Sequence, residues 1–356
     1  MRERNIRKFI MALAVFVFLG VLLQSARAQV NTYTVIELGT LTEEGMGIAR
    51  DLNNSGYVVG KSGGETGADS RAVLWTTRGK ENLGTLLAGD YSGAFAINNS
   101  GQVVGTSNTQ TAVRAFRWTR NNGLQDLGTL FEDIGSEAFG IDNSGKVVGT
   151  SSGSTGTRAV LWMPDGTIRN LGTLPGGDYS RAFAINDLGQ VVGTSSSSFG
   201  TRAVLWRADG AIQDLGTLPG DTSSEAFDIN RDGYVVGHSR GPNGTRAFLW
   251  TPNGGMRSLG TLPGGDYSRA VAINNDGQVV GTSSSSLGIR AFVWTASGGM
   301  RDLNALIPAS LGLVLSEATC INEIGQIAAL SGNANHAHTD GEDREHLYHS
   351  YLLTPV

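Results

Sequence analysis

One segment is repeated along almost the whole chain, and that repetition limits the possible folds more than any single residue does. The leucine of a Leu-Gly step, or of Leu-Asn in the last copy, returns at Leu38, Leu83, Leu127, Leu171, Leu215, Leu259 and Leu303, with a spacing of 45 and then 44 five times over. A period in the forties made of short apolar runs belongs to propellers and solenoids. Low charge (17% Asp, Glu, Lys and Arg) argues against disorder, and 51 glycines in 356 residues suit many tight turns.

Each copy holds four short runs separated by turn residues. In the copy that starts at Leu171 they are Ala182–Ile185, Gln190–Gly193, Arg202–Trp206 and Ala211–Leu215, here called strands a, b, c and d. Their length and their β-branched and aromatic content fit half-buried strands. Asp165-Gly166, Asp209-Gly210, Asn253-Gly254 and Ser297-Gly298 supply the c–d hairpins. An Asn-x-x-Gly step, such as Asn186 to Gly189, supplies the a–b turn. The step Asn230-Arg-Asp232-Gly faintly resembles a calcium loop, but it lacks the further oxygen ligands such a loop needs and is read as a turn.

All six tryptophans (Trp75, Trp118, Trp162, Trp206, Trp250, Trp294) end a strand c. Packing between neighbouring sheets is the expected use of so large a side chain at a fixed repeat position; an exposed ring for stacking on sugars is the alternative. An arginine opens strand c in six copies (Arg71, Arg114, Arg158, Arg202, Arg246, Arg290) and is expected to form a repeated structural ion pair or a solvated strand end.

The ends of the repeat indicate closure. Tyr33–Gly39 is a strand d with no a, b or c before it, and His349–Thr354 is a strand c with no d after it. Pairing them completes a seventh four-stranded sheet and removes an open edge. The expectation is an all-β, seven-bladed β-propeller of four-stranded blades, closed by pairing the N-terminal strand with the C-terminal blade. It forms one domain over residues 29–356.

The run Asp214-Leu-Gly-Thr-Leu-Pro-Gly, with Ser-Arg-Ala-Phe-Ala-Ile-Asn186, Gly189-Gln-Val-Val-Gly-Thr-Ser195 and Arg202-Ala-Val-Leu-Trp206, resembles the HAF repeat of secreted bacterial proteins. The resemblance covers residues 33 to 356 and extends to the final copy, Asp302–Pro308 and Glu317–Asn322. It implies an extracellular or envelope propeller. It implies no activity.

Residues 1–28 are expected to be a signal peptide, with a basic start (Arg2, Arg4, Arg7, Lys8), an apolar run from Phe9 to Leu23 and an Ala26-Arg27-Ala28 cleavage site. That apolar run is short for a membrane span. The mature chain is then secreted or periplasmic, with no membrane span. Cleavage removes five positive charges and one negative and takes the formal net charge from −5 to −9, which argues against a nucleic-acid partner. Cys320 is the sole cysteine and sits in an apolar strand pattern, so it is expected to be a buried thiol.

Candidate chemistry lies on the face formed by the d–a and b–c loops. The d–a loop brings Asp90-Tyr91, Asp178-Tyr179 and Asp266-Tyr267, with Arg181 and Arg269 close behind; together these make a candidate site for a polar ligand such as a glycan. The competing reading is that Asp and Ser cap the loop while Arg and Glu pair between blades. The seventh copy adds residues to its d–a loop and carries a His-rich, acidic b–c insertion, in which His336, His338, Asp340 and His346 are candidate ligands for zinc. No other cofactor is indicated; zinc, or less readily calcium, is the one candidate ion. Two G-x-S-x-G matches, Gly60–Gly64 and Gly149–Gly153, are expected to fall in Gly/Ser-rich loops rather than on a nucleophile elbow. The resulting expectation is a monomeric, non-catalytic binding or scaffolding module for a glycan or an extracellular protein. The alternative is an envelope hydrolase or lyase acting on polysaccharide at the seventh-blade insertion.

Overall fold

A computed structural model describes residues 32–42, 45–63, 69–332 and 348–356; the proposed signal peptide lies outside them. The chain forms seven four-stranded antiparallel sheets arranged as the blades of a propeller. In blade 4 the strands are Ser180–Ile185, Val191–Ser197, Gly200–Trp206 and Ile212–Asp214. Strand a of each blade packs against strand a of both neighbours and so lies nearest the axis. Blade 7 joins Leu315–Ile321, Ile327–Ser331 and His349–Pro355 to the N-terminal strand Tyr33–Glu37. Tyr33 faces Pro355 and Glu37 faces Tyr351 in the closing pair, which is the closure expected from the two half-copies.

Cohesion comes from between the blades. Val192, Leu205 and Leu215 of blade 4 pack with Ile229, Val235, Phe248 and Trp250 of blade 5, and equivalent clusters join other neighbours. All six tryptophans are buried, so they pack between blades and offer no exposed stacking ring. In blades 2 to 6 two serines per copy are buried as well. Ser180 Oγ accepts from the Ala159 amide of the preceding blade (3.0 Å), and Ser195 Oγ accepts from the Leu174 amide (2.9 Å). Most strand-c arginines reach the next blade's d–a loop. Arg158 donates to the Asp178 carbonyl and Arg202 to that of Thr222. Arg114, Arg202 and Arg290 also pair with Asp126, Asp214 and Asp302 of their own strand d.

The a–b face carries a circle of amides interrupted only at blade 3. Asn186 Oδ1 accepts from the amides of Leu188 and Gln190, which makes the turn, and its Nδ2 donates to the Asn230 carbonyl of the next blade (3.0 Å). Asn53, Asn98, Asn230, Asn274 and Asn322 make the same inter-blade bond. Asn230, the faint calcium-loop match, is one of these turns, its Oδ1 accepting from the amides of Asp232 and Tyr234. Gly189 closes its turn at φ +74°, a backbone state that suits glycine.

Two local expectations are corrected. The c–d hairpins of blades 5 and 6 place their positive φ at Gly255 and Gly299, one residue after the expected Gly254 and Gly298. The G-x-S-x-G matches lie largely in strand b, where Ser62 and Ser151 are buried and accept from the amides of Leu41 and Leu130.

Candidate functional site

A bulge interrupts strand a in every blade and turns one residue per blade toward the axis. The glycine of Val-Val-Gly in strand b accommodates it. A Cβ on Gly193 would lie 1.9 Å from the Arg181 carbonyl oxygen. In blade 7 Ala329 takes the glycine's place, and strand a gains a second irregularity between Leu315 and Glu317.

The bulged residues are Arg50, Phe95, Phe139, Phe183, Phe227, Val271 and Thr319. Four consecutive phenylalanines form an arc, with centroids 5.4 Å apart for Phe95–Phe139, 5.7 Å for Phe139–Phe183 and 5.6 Å for Phe183–Phe227. Arg50 is exposed although it lies on the innermost strand. One wall of the axis is therefore aromatic, and blade 1 carries a cation.

Nearer the d–a/b–c face, the axis-facing positions before the bulge carry Glu137, Arg181, Glu225, Arg269 and Glu317 in blades 3 to 7, an alternation of sign. Arg181 pairs with Glu137 of the neighbouring blade at 3.7 Å and lies over the rings of Phe139 and Phe183. The Arg269 guanidinium sits 4.2 Å from the Phe227 centroid, and His238 stacks on Phe227 at 5.4 Å. Arg269 Nε and His238 Nδ1 are buried without a hydrogen-bond partner. Burial, with help from Arg269 and Arg240, lowers the His238 pKa to about 4, so its imidazole is neutral near neutrality. Burial raises the Tyr267 pKa; Arg269 opposes the shift and Glu317 adds to it.

Deeper along strand a, Asp51 and Asp228 each bridge two blades. Asp51 accepts from the Leu52 amide (2.8 Å) and from the Ile97 amide of blade 2 (2.9 Å), and Asp228 accepts from Ile229 and from Ile273 of blade 6 (both 2.8 Å). Burial pushes their pKa values up to about 7 and about 6, against the pull of those amides. The Cys320 thiol is buried and shifted well upward, also by burial, so it stays protonated.

The sequence-predicted site residues separate into two groups. Asp90, Asp178 and Asp266 are bound into their own loops, where Asn108, Ser196 and Ser284 donate to their carboxylates. This is the loop-capping arrangement. Tyr91, Tyr179 and Tyr267 are half-buried beside them. Arg181 and Arg269 do reach the axis. The phenylalanine arc, His238 and the half-buried Asp51 and Asp228 were missed. The Ala-Phe-Ala-Ile spacing signals a strand but not its bulge, and His238 stands where other copies have threonine. Among the described residues no group of three or more His, Cys, Asp or Glu is placed to hold a metal ion. His336, His338, Asp340 and His346 lie outside the described residues. Among the described residues no helix is long and apolar enough to cross a membrane.

These observations define the class as a seven-bladed β-propeller with an asymmetric axis. No protein-family model and no curated protein matches the chain. Among solved structures it is similar to virginiamycin B lyase from Staphylococcus aureus (TM-score 0.56, 12% identity, covering 91% of this chain and 99% of that one). It is also similar to a streptogramin B lyase (0.54, 13%, 90% and 98%) and to an oligogalacturonate lyase in complex with manganese (0.54, 9%, 91% and 97%). At these identities the likeness is one of fold.

Proposed function

We propose that the chain is a secreted or periplasmic, non-catalytic propeller of the HAF-repeat kind that binds a glycan or an extracellular protein at the d–a/b–c mouth of its axis. One observation carries this reading. The axis-facing positions abandon the repeat that the rest of the molecule keeps, and there Arg269 Nε and His238 Nδ1 are buried without partners. A buried polar atom left unpaired is costly, and a ligand acceptor on Arg269 would remove that cost. The phenylalanine arc supplies an apolar wall beside it, the usual mixture in a ligand site. The acidic mature chain argues against nucleic acid as the ligand.

The test is a glycan-array and extracellular-protein screen with the full chain, beside Arg181→Gln/Arg269→Gln. Binding that is lost in the double variant while its thermal melt is unchanged supports the reading. Binding that survives sinks it. Turnover of a polysaccharide by the parent chain would favour the alternative, a hydrolase or lyase working at the seventh-blade insertion.

A further inference from the structure

A second departure from the repeat lies on the opposite face, where a–b and c–d turns meet. In blades 3, 5 and 7 the turn glycine is covered by a proline. Pro164 Cγ comes within 3.9 Å of the point where a side chain on Gly145 would begin, Pro252 Cγ within 3.8 Å at Gly233, and Pro355 Cγ within 3.3 Å at Gly325. A glutamine of the preceding blade covers the same spots, with Gln102, Gln190 and Gln278 at 3.2, 3.5 and 3.6 Å.

Blade 2 has neither cover. At the proline position stands Arg120, which turns to Glu81 of blade 1 (3.1 Å). At the glutamine position of blade 1 stands Tyr57. Nothing lies within 4 Å of the corresponding point at Gly101. Gly277, which also follows a tyrosine (Tyr234), is uncovered in the same way, so tyrosine at this position goes with an open turn. At Gly101 the result is a groove of about 580 Å³ whose lining includes Tyr57, Leu74, Gln102, Trp118, Arg120 and Asn121.

We propose that this groove binds a proline-rich segment of a partner protein in the polyproline II conformation. Three sister blades show which group this turn accepts, and it is a pyrrolidine ring. Blade 2 keeps the seat and lacks the ring. Half-buried Tyr57 gives an aromatic surface of the kind on which such segments dock, with buried Trp118 contributing only to the floor of the lining, and the preformed helix loses little entropy on binding. A polyproline II segment has no internal hydrogen bonds, so its carbonyls are open to donors such as Arg120 and Asn121. The groove is on the face away from the axial mouth, and the inference does not depend on the function proposed there.

The experiment titrates the full chain with hexaproline, an alanine hexapeptide and cellohexaose, each against the parent, Arg120→Pro and Tyr57→Gln. Arg120→Pro builds the missing ring into a turn of the same length as Thr251-Pro252-Asn253-Gly254-Gly255, and Tyr57→Gln installs the residue of blades 2, 4, 6 and 7, so the repeat itself contains both local sequences. The expected result is saturable hexaproline binding to the parent, no alanine-peptide binding, and a loss of about tenfold or more in each variant. Three outcomes would overturn the proposal: no saturable hexaproline binding, hexaproline binding unchanged in both variants, or cellohexaose as the ligand that the variants lose. Should Arg120→Pro fail to fold, Tyr57→Gln decides.

Discussion

The two mouths of the propeller are built from the two ends of the same inner strands, yet they follow opposite rules. At the a–b mouth the chemistry is nearly constant around the circle. Six asparagines make the same turn and pass the same Nδ2 hydrogen bond to the next blade. At the d–a/b–c mouth the strand ends carry Ile48, Gly93, Glu137, Arg181, Glu225, Arg269 and Glu317, and hardly two neighbours agree. Identical residues in a ring serve what every blade needs, which is attachment to its neighbours. Residues that differ serve something the ring as a whole meets once. In a repeat protein, asymmetry is therefore a better guide to function than repetition.

If repetition means attachment, breaking the attachment should be the most damaging change. Truncation after Leu38 removes the Tyr33–Glu37 strand, exposes the His349–Pro355 edge and takes the buried Tyr33 out of the blade 7 core. The expected loss is comparable with the whole stability of a domain, about 5–15 kcal/mol, visible as loss of a cooperative melt and as aggregation. A truncated chain that melts like the parent would show that closure contributes little.

Trp206→Ala comes next. Trp206 is 1% exposed in the cluster between blades 3 and 4, and emptying such a site costs about 3–5 kcal/mol. Phe183→Ala, at the half-buried axis, should cost about 1–2 kcal/mol. Equal losses in chemical denaturation would erase the distinction between blade-joining and axis-facing positions.

The axis should also set the pH dependence. The folded-state pKa values of Asp51 and Asp228 are raised, so the stability they give is complete below the ordinary value of 3.8 and is lost as pH rises from there through about 6 for Asp228 and about 7 for Asp51. The His238 pKa is lowered, so its contribution is present above the ordinary imidazole value and lost as pH falls toward about 4. Two carboxylates outweigh one imidazole, so melts should fall as pH rises from about 4 to about 7. Asp51→Asn/Asp228→Asn should abolish that fall, although each new amide can accept only one of the two backbone hydrogen bonds its carboxylate accepts. His238→Thr, which restores the residue found in blades 2, 3, 4 and 6, removes the opposing contribution and should steepen that fall between about pH 4 and 6.5. A parent whose melt does not change with pH would contradict both assignments.

The contrast also explains what could be read in the sequence. Blade number, strand order and closure follow from the 44-residue period and from the partial copies at Tyr33 and His349, because each depends on pattern within one copy. The burial of the tryptophans follows from their fixed place at the end of strand c. At the axis only Arg181 and Arg269 were legible, because the rest of its chemistry depends on partners in other copies. Ala-Phe-Ala-Ile shows no bulge until Gly193 is seen pressed against the Arg181 carbonyl. The aspartate in Phe227-Asp228-Ile229 is an unremarkable substitution until its carboxylate is seen holding the Ile273 amide of the next blade. For the d–a loop aspartates the sequence left two readings, ligand and loop cap, and the structure shows the bonds of the cap, from Asn108, Ser196 and Ser284.

The smallest effect tests the rule at its one local exception. Blade 3 replaces the turn asparagine with Asp142, which has no amide to pass on, so the circle breaks between blades 3 and 4. Asp142 Oδ1 still makes the turn, accepting from Ser144 and Lys146, but buried Oδ2 has no hydrogen-bond partner and only Lys146 Nζ at 3.6 Å to offset its charge. Four of the six asparagines also donate to a glutamine four residues on, as Asn98 does to Gln102 (2.8 Å). Asp142→Asn/Lys146→Gln should therefore complete the circle, with Nδ2 reaching the Asn186 carbonyl, and stabilise the chain by about 1 kcal/mol. Asp142→Asn alone should gain less, because it leaves Lys146 without its carboxylate. If the double variant is no more stable than the parent, the amide circle marks the turns without helping to hold the ring.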